Sequence, residues 1–482
     1  MKRFFFLTLF LLTVSFSGAA DQKPNILFIA VDDLRPELAP YGAAVQTPNL
    51  DRFAASGIRF DRAYCQQAVC GASRLSLMSG LYPTKTKEQN YHVTGWRKRH
   101  PNVVTMNQHF RASGYRTDGT GKIYHGSGGA GVDPKHWDDW IMVKGESYVL
   151  PESTAERDRR IAANPGKTTK DFRGMTTESA DVADEVYSDG ARAVVAAKHL
   201  RELAGDEEPF FFAVGFTKPH LPFVAPQQYW DLYRRDEFSM PKNLGIPPGY
   251  PEYAANVTAG EMRKYADYEG KSPKDFSDAL NKRLLHGYAA CVSYMDANVG
   301  KLLDALEASG EADKTIVVFW GDHGWKLGDH SSWCKHTNFE IDTRVPLMMR
   351  VPGQEGGVST IAPTELIDIY PTLCELAGIS VPKHVKGKSL VPLLEDPARQ
   401  HRKSAYSSYR HGKATGHSIR MGAFRYTEWY RDGAAKHEAS VLTDLEQDPG
   451  EQTNLVGSAE HADQLKRVKK ELRLRIAEAL GE

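Results

Sequence analysis

Two apolar runs in this chain end in groups that could bind a cation. Residues 25–31 read NILFIAV and lead into Asp32 and Asp33; residues 315–320 read TIVVFW and lead into Gly321, Asp322 and His323. Short runs this apolar read as strands buried on both faces. Open α/β sheets bind ligands beyond the carboxyl ends of such strands. Asp32, Asp33, Asp322 and His323 are therefore expected to meet at one sheet edge. Three carboxylates held together repel one another unless a cation neutralises them. The oxygen-rich set suits a hard divalent ion, calcium or magnesium. His323 is softer: it also fits zinc, or a hydrogen-bonding role in a pocket. One acidic strand end is commonly a turn or a cap, but two acidic ends after two buried strands point to a site.

A nucleophile candidate lies in Cys70-Gly71-Ala72-Ser73-Arg74. A lone Cys is usually a small buried hydrophobe. This one precedes a helix start, near backbone N–H groups and a positive dipole end, and an Arg follows four residues later. The cysteines are Cys65, Cys70, Cys291, Cys334 and Cys374. An odd count with scattered spacing does not resemble a disulfide framework, and there is no CxxC zinc pattern.

The elements that must position these groups follow the pattern of an α/β chain. Strands are expected at 25–31, 116–121, 210–216, 315–320 and 345–351. Helices are expected at 47–56, 73–79, 103–112, 180–203, 281–309 and 364–377. Residues 128–174 read as a long surface excursion and 227–251 as loop. Beyond a Pro/Arg/Gln/Lys-rich boundary at 397–403 the pattern changes. Short strands at 404–409, 417–421, 424–430 and 440–444 and a helix at 462–480 suggest a small antiparallel sheet with one helix.

The chain has 482 residues, enough for a large α/β domain plus a smaller unit. Eight Trp, 21 Tyr and 20 Phe can fill a large core, which excludes disorder over most of the length. Lys plus Arg and Asp plus Glu both number 61, a balance that argues against nucleic acid as a partner held by the overall field. At the start, Lys2 and Arg3 precede an apolar stretch at 4–16 and small residues at 17–20. This reads as a signal peptide over 1–20, cleaved near Ala20. Its apolar run is short of the roughly 18 residues a span needs, and no later run reaches that length. The mature chain is therefore expected to be exported, periplasmic or secreted, without a membrane span.

Cys70-Gly71-Ala72-Ser73-Arg74 with residues 75–80 resembles the sulfatase signature, with Ala72 where the family usually has Pro. The likeness extends through PNILFIAVDDLRPELAPYG, QQAVCGASR, GKIYH, FFFAVGFTKPHLPF, GDHGWKLGDH, WCKHTNFE and SIRMGAFRYTEWY. The chain thus resembles the type I, formylglycine-dependent sulfatases, and among them the iduronate 2-sulfatase-like carbohydrate sulfatases. The resemblance implies an alkaline-phosphatase-like α/β catalytic domain over 21–395, a mixed sheet flanked by helices. A smaller α+β unit with an antiparallel sheet would follow over 396–482. It implies that a maturation enzyme, formylglycine-generating or anaerobic, oxidises Cys70 to formylglycine. One calcium ion, ahead of magnesium or manganese, would be held by Asp32, Asp33, residue 70, Asp322 and His323. Arg74, Lys122 and Lys335 match the positions that hold sulfate oxygens. His125 matches the base and His220 the acid that faces the leaving oxygen. A lone Lys is otherwise a solvated charge, and a lone His a core or surface residue.

The implied reaction is hydrolysis of sulfate esters on a carbohydrate, glycosaminoglycan-like, with the 2-position of a uronic acid as the finer expectation. Trp96 and Arg97, in the basic aromatic loop 91–100, resemble a stretch near the pocket, and Arg97 could meet a sugar carboxylate. Trp325 could wall the pocket or sit in the core. Two rivals remain at this stage: a phosphate or phosphonate ester hydrolase on the same scaffold, and a sulfated-glycan binding protein without catalysis. Asn256-Val257-Thr258 is a glycosylation sequon by pattern.

Overall fold

The computed structural model describes residues 23–93, 95–126, 134–270, 272–431 and 436–481. The expected signal peptide lies outside the described residues. Among those described, no helix is long and apolar enough to cross a membrane.

The main sheet has eight strands. In chain order they are β1 (Asn25–Val31), β2 (Ile58–Phe60), β3 (Arg116–Gly121), β4 (Asp139–Ile141), β5 (Phe210–Phe216), β6 (Thr315–Gly321), β7 (Leu347–Arg350) and β8 (Val358–Thr360). Across the sheet the order is β8-β2-β7-β6-β1-β5-β3-β4. Only β7 runs against the others, pairing antiparallel with β6 and β2. The sheet is therefore mixed, as the sequence suggested.

Register explains why the polar groups converge. Val31 lies opposite Phe216 of β5 and opposite Gly321 of β6. Gly121 of β3 lies opposite Gly215. Four strands thus end level, and the next residues of each emerge together: Asp32, Lys122, Thr217 and Asp322.

The central strands are apolar throughout because both faces are covered. Leu27, Ile29 and Val31 point into one core, under helices α3 (Ser188–Leu203) and α4 (Asp278–Ala308). Ile26, Phe28 and Ala30 point into the other, with α1 (Cys70–Ser79), α2 (Met106–Ala112) and α5 (Ile369–Leu376). Helix α4 starts at an N-cap, Ser277, whose hydroxyl accepts from Leu280 N at 3.2 Å.

Several boundaries differ from the pattern reading. Helix α1 begins at Cys70 itself rather than at 73. The helix expected from 180 begins at Ser188, because Thr177–Ala180 pairs as a strand with Phe223–Pro226. The strand expected at 345–351 is split at Pro346: Arg344–Val345 joins a separate three-stranded sheet. Proline has no N–H to continue one ladder. The excursion at 128–174 carries the edge strand β4 and a helix at Pro151–Ala163.

The C-terminal part has four antiparallel strands in sequential order: β9 (Ala405–His411), β10 (Ala414–Met421), β11 (Phe424–Arg431) and β12 (Lys436–Asp444). Tyr406, Ile419, Tyr426 and Leu442 pack on Val468, Leu472 and Ala479 of α6 (Ala462–Leu480). Tyr82 and Ile367 join the same cluster, and Arg475 donates to Tyr82 Oη at 2.8 Å. This sheet therefore shares a core with the larger part.

Candidate active site

The sheet edge is stitched together by Asp322. Its Oδ1 accepts from Asp33 N at 3.1 Å and from His323 N at 2.9 Å. Its Oδ2 accepts from Arg74 Nε at 2.8 Å. Arg74 is fully buried and also donates to Asp32 Oδ1 at 3.2 Å and to Ile123 O at 3.2 Å. One guanidinium fork thus ties helix α1 to the ends of β1, β3 and β6. Asp33 adopts a left-handed φ of 55° immediately beyond β1. A non-glycine residue held there is uncommon, and such positions cluster at functional sites.

Asp32, Asp33, Cys70 and His323 each offer a ligand atom, all within 4.8 Å of one another. Asp322 stands beside them, its Oδ1 3.7 Å from His323 Nε2. His323 Nδ1 lies 2.9 Å from Gly324 O. A proton on Nδ1 satisfies that carbonyl and leaves the Nε2 lone pair turned toward the cluster, the arrangement a ligating histidine needs. Buried carboxylates plus one imidazole fit a divalent cation, and the predominance of oxygen favours a hard one.

Cations ring this cluster. Lys122 Nζ contacts Asp32 Oδ2. Lys335 Nζ, fully buried, lies 2.8 Å and 3.0 Å from the two oxygens of Asp33. Burial opposes ionisation of Asp32, but Lys122, His220, Arg74 and Lys335 overcome it and hold the carboxyl well below its ordinary range. Burial, then Asp32, pushes the Cys70 thiol well above its ordinary range. Unmodified Cys70 is therefore a protonated thiol and a poor nucleophile.

The two histidines are driven in opposite directions. Burial, then Lys122, lowers His125 to about 4, so it is neutral at pH 7. Burial would also lower His220, but Asp33, Glu261 and Asp32 together raise it. Its Nδ1 lies 2.6 Å from Leu221 O, while Nε2 faces Asp33 at 3.8 Å and Asp32 at 3.9 Å. One histidine is thus fitted to accept a proton and the other to give one. Beside Lys122 and His125 opens a cavity of about 360 Å³, walled also by Met142, Arg192 and Thr217. A larger cavity of about 700 Å³, lined by Tyr41, Arg59 and Arg344, includes none of these site residues.

The structure brings together Cys70, Arg74, Lys122, His125, His220, Lys335, Asp32, Asp33, Asp322 and His323. None of the three substrate candidates lines the cavity beside Lys122 and His125. Trp96 is wholly buried among Leu77, Met106 and Phe110. Arg97 lies over the Trp96 ring at 4.2 Å and donates to Val103 O. Trp325 is also fully buried, and its ring lies 4.8 Å from Lys335 Nζ, so it supports that cation from within. From the 91–100 loop, Tyr91 reaches the site, 5.9 Å from Lys335 Nζ and 5.6 Å from the His125 ring, and the His92 ring lies 5.7 Å from that of His125. A Cβ on Gly71 would stand 2.0 Å from Tyr91 O, so glycine is what lets this loop approach the start of α1. The sequon residue Asn256 turns inward, donating to Lys335 O at 3.4 Å. All five cysteines are free and buried.

Pattern reading also missed Glu261. It lies 3.2 Å from His220 Nε2 and 2.9 Å from Lys335 Nζ. Burial opposes its charge, but Lys335 and His220 hold it well below its ordinary range. It follows no apolar run and falls in no recognisable motif; only its contacts reveal it.

Comparison with known proteins agrees with this geometry. Residues 24–379 match the family model described as Sulfatase. Residues 328–478 match that described as N-sulphoglucosamine sulphohydrolase, C-terminal. Iduronate 2-sulfatase of Homo sapiens is 31% identical, over 84% of this chain and 84% of that protein. A sulfatase of Formosa agariphila is 31% identical, over 90% of this chain and 83% of that protein. Among solved structures, the phosphonate monoester hydrolase of Agrobacterium radiobacter superposes with a TM-score of 0.74 at 23% identity. That superposition covers 95% of this chain and 96% of the other, a likeness of fold.

Proposed function

The chain belongs to the sulfatase family, and on that premise we propose that it is an exported carbohydrate sulfatase whose nucleophile is made from Cys70. Sulfuric ester hydrolysis follows from the family, and the iduronate 2-sulfatases among its relatives are named for a sulfated sugar. The observation that carries the finer reading is the placing of Cys70. It is the first residue of α1, 3.1 Å from His323 Nε2, inside a ring of Arg74, Lys122 and Lys335. Burial pushes its thiol well above the ordinary range, so the unmodified side chain is a poor nucleophile.

In this reading a maturation enzyme converts Cys70 to formylglycine. The hydrated aldehyde supplies one hydroxyl for attack on sulfur and a second whose deprotonation releases sulfate. Asp32, Asp33, Asp322, His323 and residue 70 would hold the divalent ion, calcium before magnesium or manganese. Bound there, it supplies positive charge next to the reacting oxygens.

The chain's own residues perform the remaining steps. Arg74, Lys122 and Lys335 are preorganised cations in a water-poor cleft, where they stabilise the charge that develops on the sulfate oxygens. His125, neutral, takes the proton of the attacking hydroxyl. His220, charged, gives its Nε2 proton to the leaving alkoxide. Arg74, Lys122, Lys335 and protonated His220 offset Asp32, Asp33, Asp322 and Glu261. A divalent cation would then leave a positive surplus for the monoanionic sulfate ester and for the sulfate dianion it releases.

Every side chain of the site lies between residues 32 and 335, so we assign catalysis to 21–395 and treat 396–482 as the smaller unit. We keep 1–20 as the signal peptide, with a periplasmic or secreted destination. The 2-O-sulfate of a uronic acid is the first substrate to screen, on the strength of the iduronate 2-sulfatase likeness.

The test is peptide mass spectrometry across Cys70 in protein from its native exporting host. Sulfate and phosphate release from matched esters of one alcohol should then be compared. An aldehyde at position 70 with faster sulfate release supports the reading. Faster phosphate release overturns it in favour of a phosphoesterase, and fully converted protein that binds sulfated glycans without turnover overturns it in favour of a binding protein.

A further inference from the structure

Among the carboxylates of the site, Glu261 stands apart. The side chains of Asp32, Asp33 and Asp322 are sealed from solvent, whereas that of Glu261 keeps 28% of its surface open. Of these four carboxylates, Glu261 is the one that presents an appreciable part of its side chain to solvent.

The position is built rather than incidental. Residues Gly260–Lys264 form a 3-10 turn on a strap that runs beside the Lys335 segment. Ser332 Oγ donates to Thr258 O at 3.0 Å, Trp333 N to the same oxygen at 3.3 Å, and Asn256 Nδ2 to Lys335 O at 3.4 Å. Gly260 has φ +51°, and a Cβ there would stand 2.3 Å from Cys334 Sγ. The strap is thereby pressed against the residue before Lys335, and Glu261 reaches both Lys335 and His220. Its Oε1 faces Lys335 and is itself sealed from solvent, while its Oε2 faces His220 Nε2.

We infer that Glu261 determines specificity at the leaving alcohol. It accepts a hydrogen bond from a hydroxyl or ammonium on the carbon next to the sulfated one, and it rejects an alcohol that carries an anion there. The inference rests on the proposed sulfatase reading, with His220 as the acid. An ester oxygen that takes the His220 proton lies about 3 Å from Nε2. Glu261 already lies 3.2 Å from the same atom. The scissile oxygen and the carboxylate are therefore neighbours across one nitrogen, and a substituent on the adjacent carbon comes within reach of Glu261. A buried acceptor left without its donor, or an anion set against it, discriminates more sharply than lost apolar contact does.

The experiment uses protein shown by mass spectrometry to carry the aldehyde at position 70. Wild type, E261Q and E261D are compared on three sulfated monosaccharides with one scissile position. Their neighbouring carbon bears a hydroxyl, a methyl ether or a second sulfate. For wild type, kcat/KM is expected to fall about 10–100-fold for the methyl ether and at least about 100-fold for the disulfate. In E261Q the disulfate penalty should shrink to about 10-fold or less, and E261D should restore it. Loss of His220 or Lys335 alignment would slow all three substrates alike and cancel in these ratios. Ratios in E261Q equal to wild type overturn this inference and leave the sulfatase reading standing. Failure of converted wild type on all three esters overturns both.

Discussion

Replacing Lys335 by Met tests the charge ring without relying on turnover. The ammonium is fully buried, 2.8 Å from Asp33 and 2.9 Å from Glu261. At an effective dielectric of about 20, each contact is a gross attraction of about 6 kcal/mol. The Glu261 contact counts for less, because that side chain is partly open to solvent. Burying the ammonium costs several kcal/mol in return, so the pair is no large net asset. Removing one partner is different, since Asp33 then remains buried beside Asp32 without its cation. Such a loss costs about 3–5 kcal/mol. The expected outcome in chelator is a denaturation free energy lower than wild type by about that amount. Added calcium should recover part of it, since an ion at 100 times its Kd contributes about 2.7 kcal/mol. Activity should fall about 10²–10³-fold even with calcium, because a transition-state cation is gone. A Lys335→Met protein that matches wild type within about 1 kcal/mol in chelator would refute the argument that this lysine neutralises the metal-site carboxylates.

Four other substitutions have defined outcomes. Cys70→Ala and Asp322→Ala should each abolish sulfate release; measurable turnover in either, assayed with the best sulfated substrate, contradicts the mechanism. Gly71→Ala sets a Cβ 2.0 Å from Tyr91 O, a backbone atom that cannot move alone. Overpacking of this kind costs about 1–3 kcal/mol, visible in thermal melts, and a melting temperature equal to wild type would count against it. Glu451 is buried and lies 3.7 Å from Arg425; burial, against Arg425, raises it to about 8. The folded state thus holds a proton that the unfolded chain releases near its ordinary 4.5. Between about 4.5 and 8 the native state binds more protons, so this residue's contribution to stability falls as pH rises. Glu451→Gln should flatten that fall and stabilise the protein at pH 9, and an unchanged pH profile in urea denaturation contradicts this placing.

The outline of the site was legible because it depends on local pattern. NILFIAV before Asp32 and TIVVFW before Asp322 are apolar runs that only a two-sided core can use, and their ends mark the edge where ligands bind. Cys70 stood out through its helix-start setting and its Arg four residues on. The boundaries were less legible. The 188–203 helix could not be separated by periodicity from the short strand Thr177–Ala180 before it, because that strand exists only through its partner Phe223–Pro226. In loop 91–100, composition could not tell Tyr91, which approaches Lys335, from Trp96, which fills the core.

The amino-acid sequence alone thus determined the α/β plan, the acidic strand ends, the Cys70 signature and the family, because each rests on residues close together in the chain. Tertiary structure decided the rest. Strand register brought Asp32, Lys122, Thr217 and Asp322 level. Packing turned Trp96 and Trp325 inward. A strap some 70 residues before Lys335 set Glu261 between that lysine and His220. Such contacts join residues far apart in the chain, and no local spacing records them; they exist only once burial of the two cores has fixed which segments lie side by side.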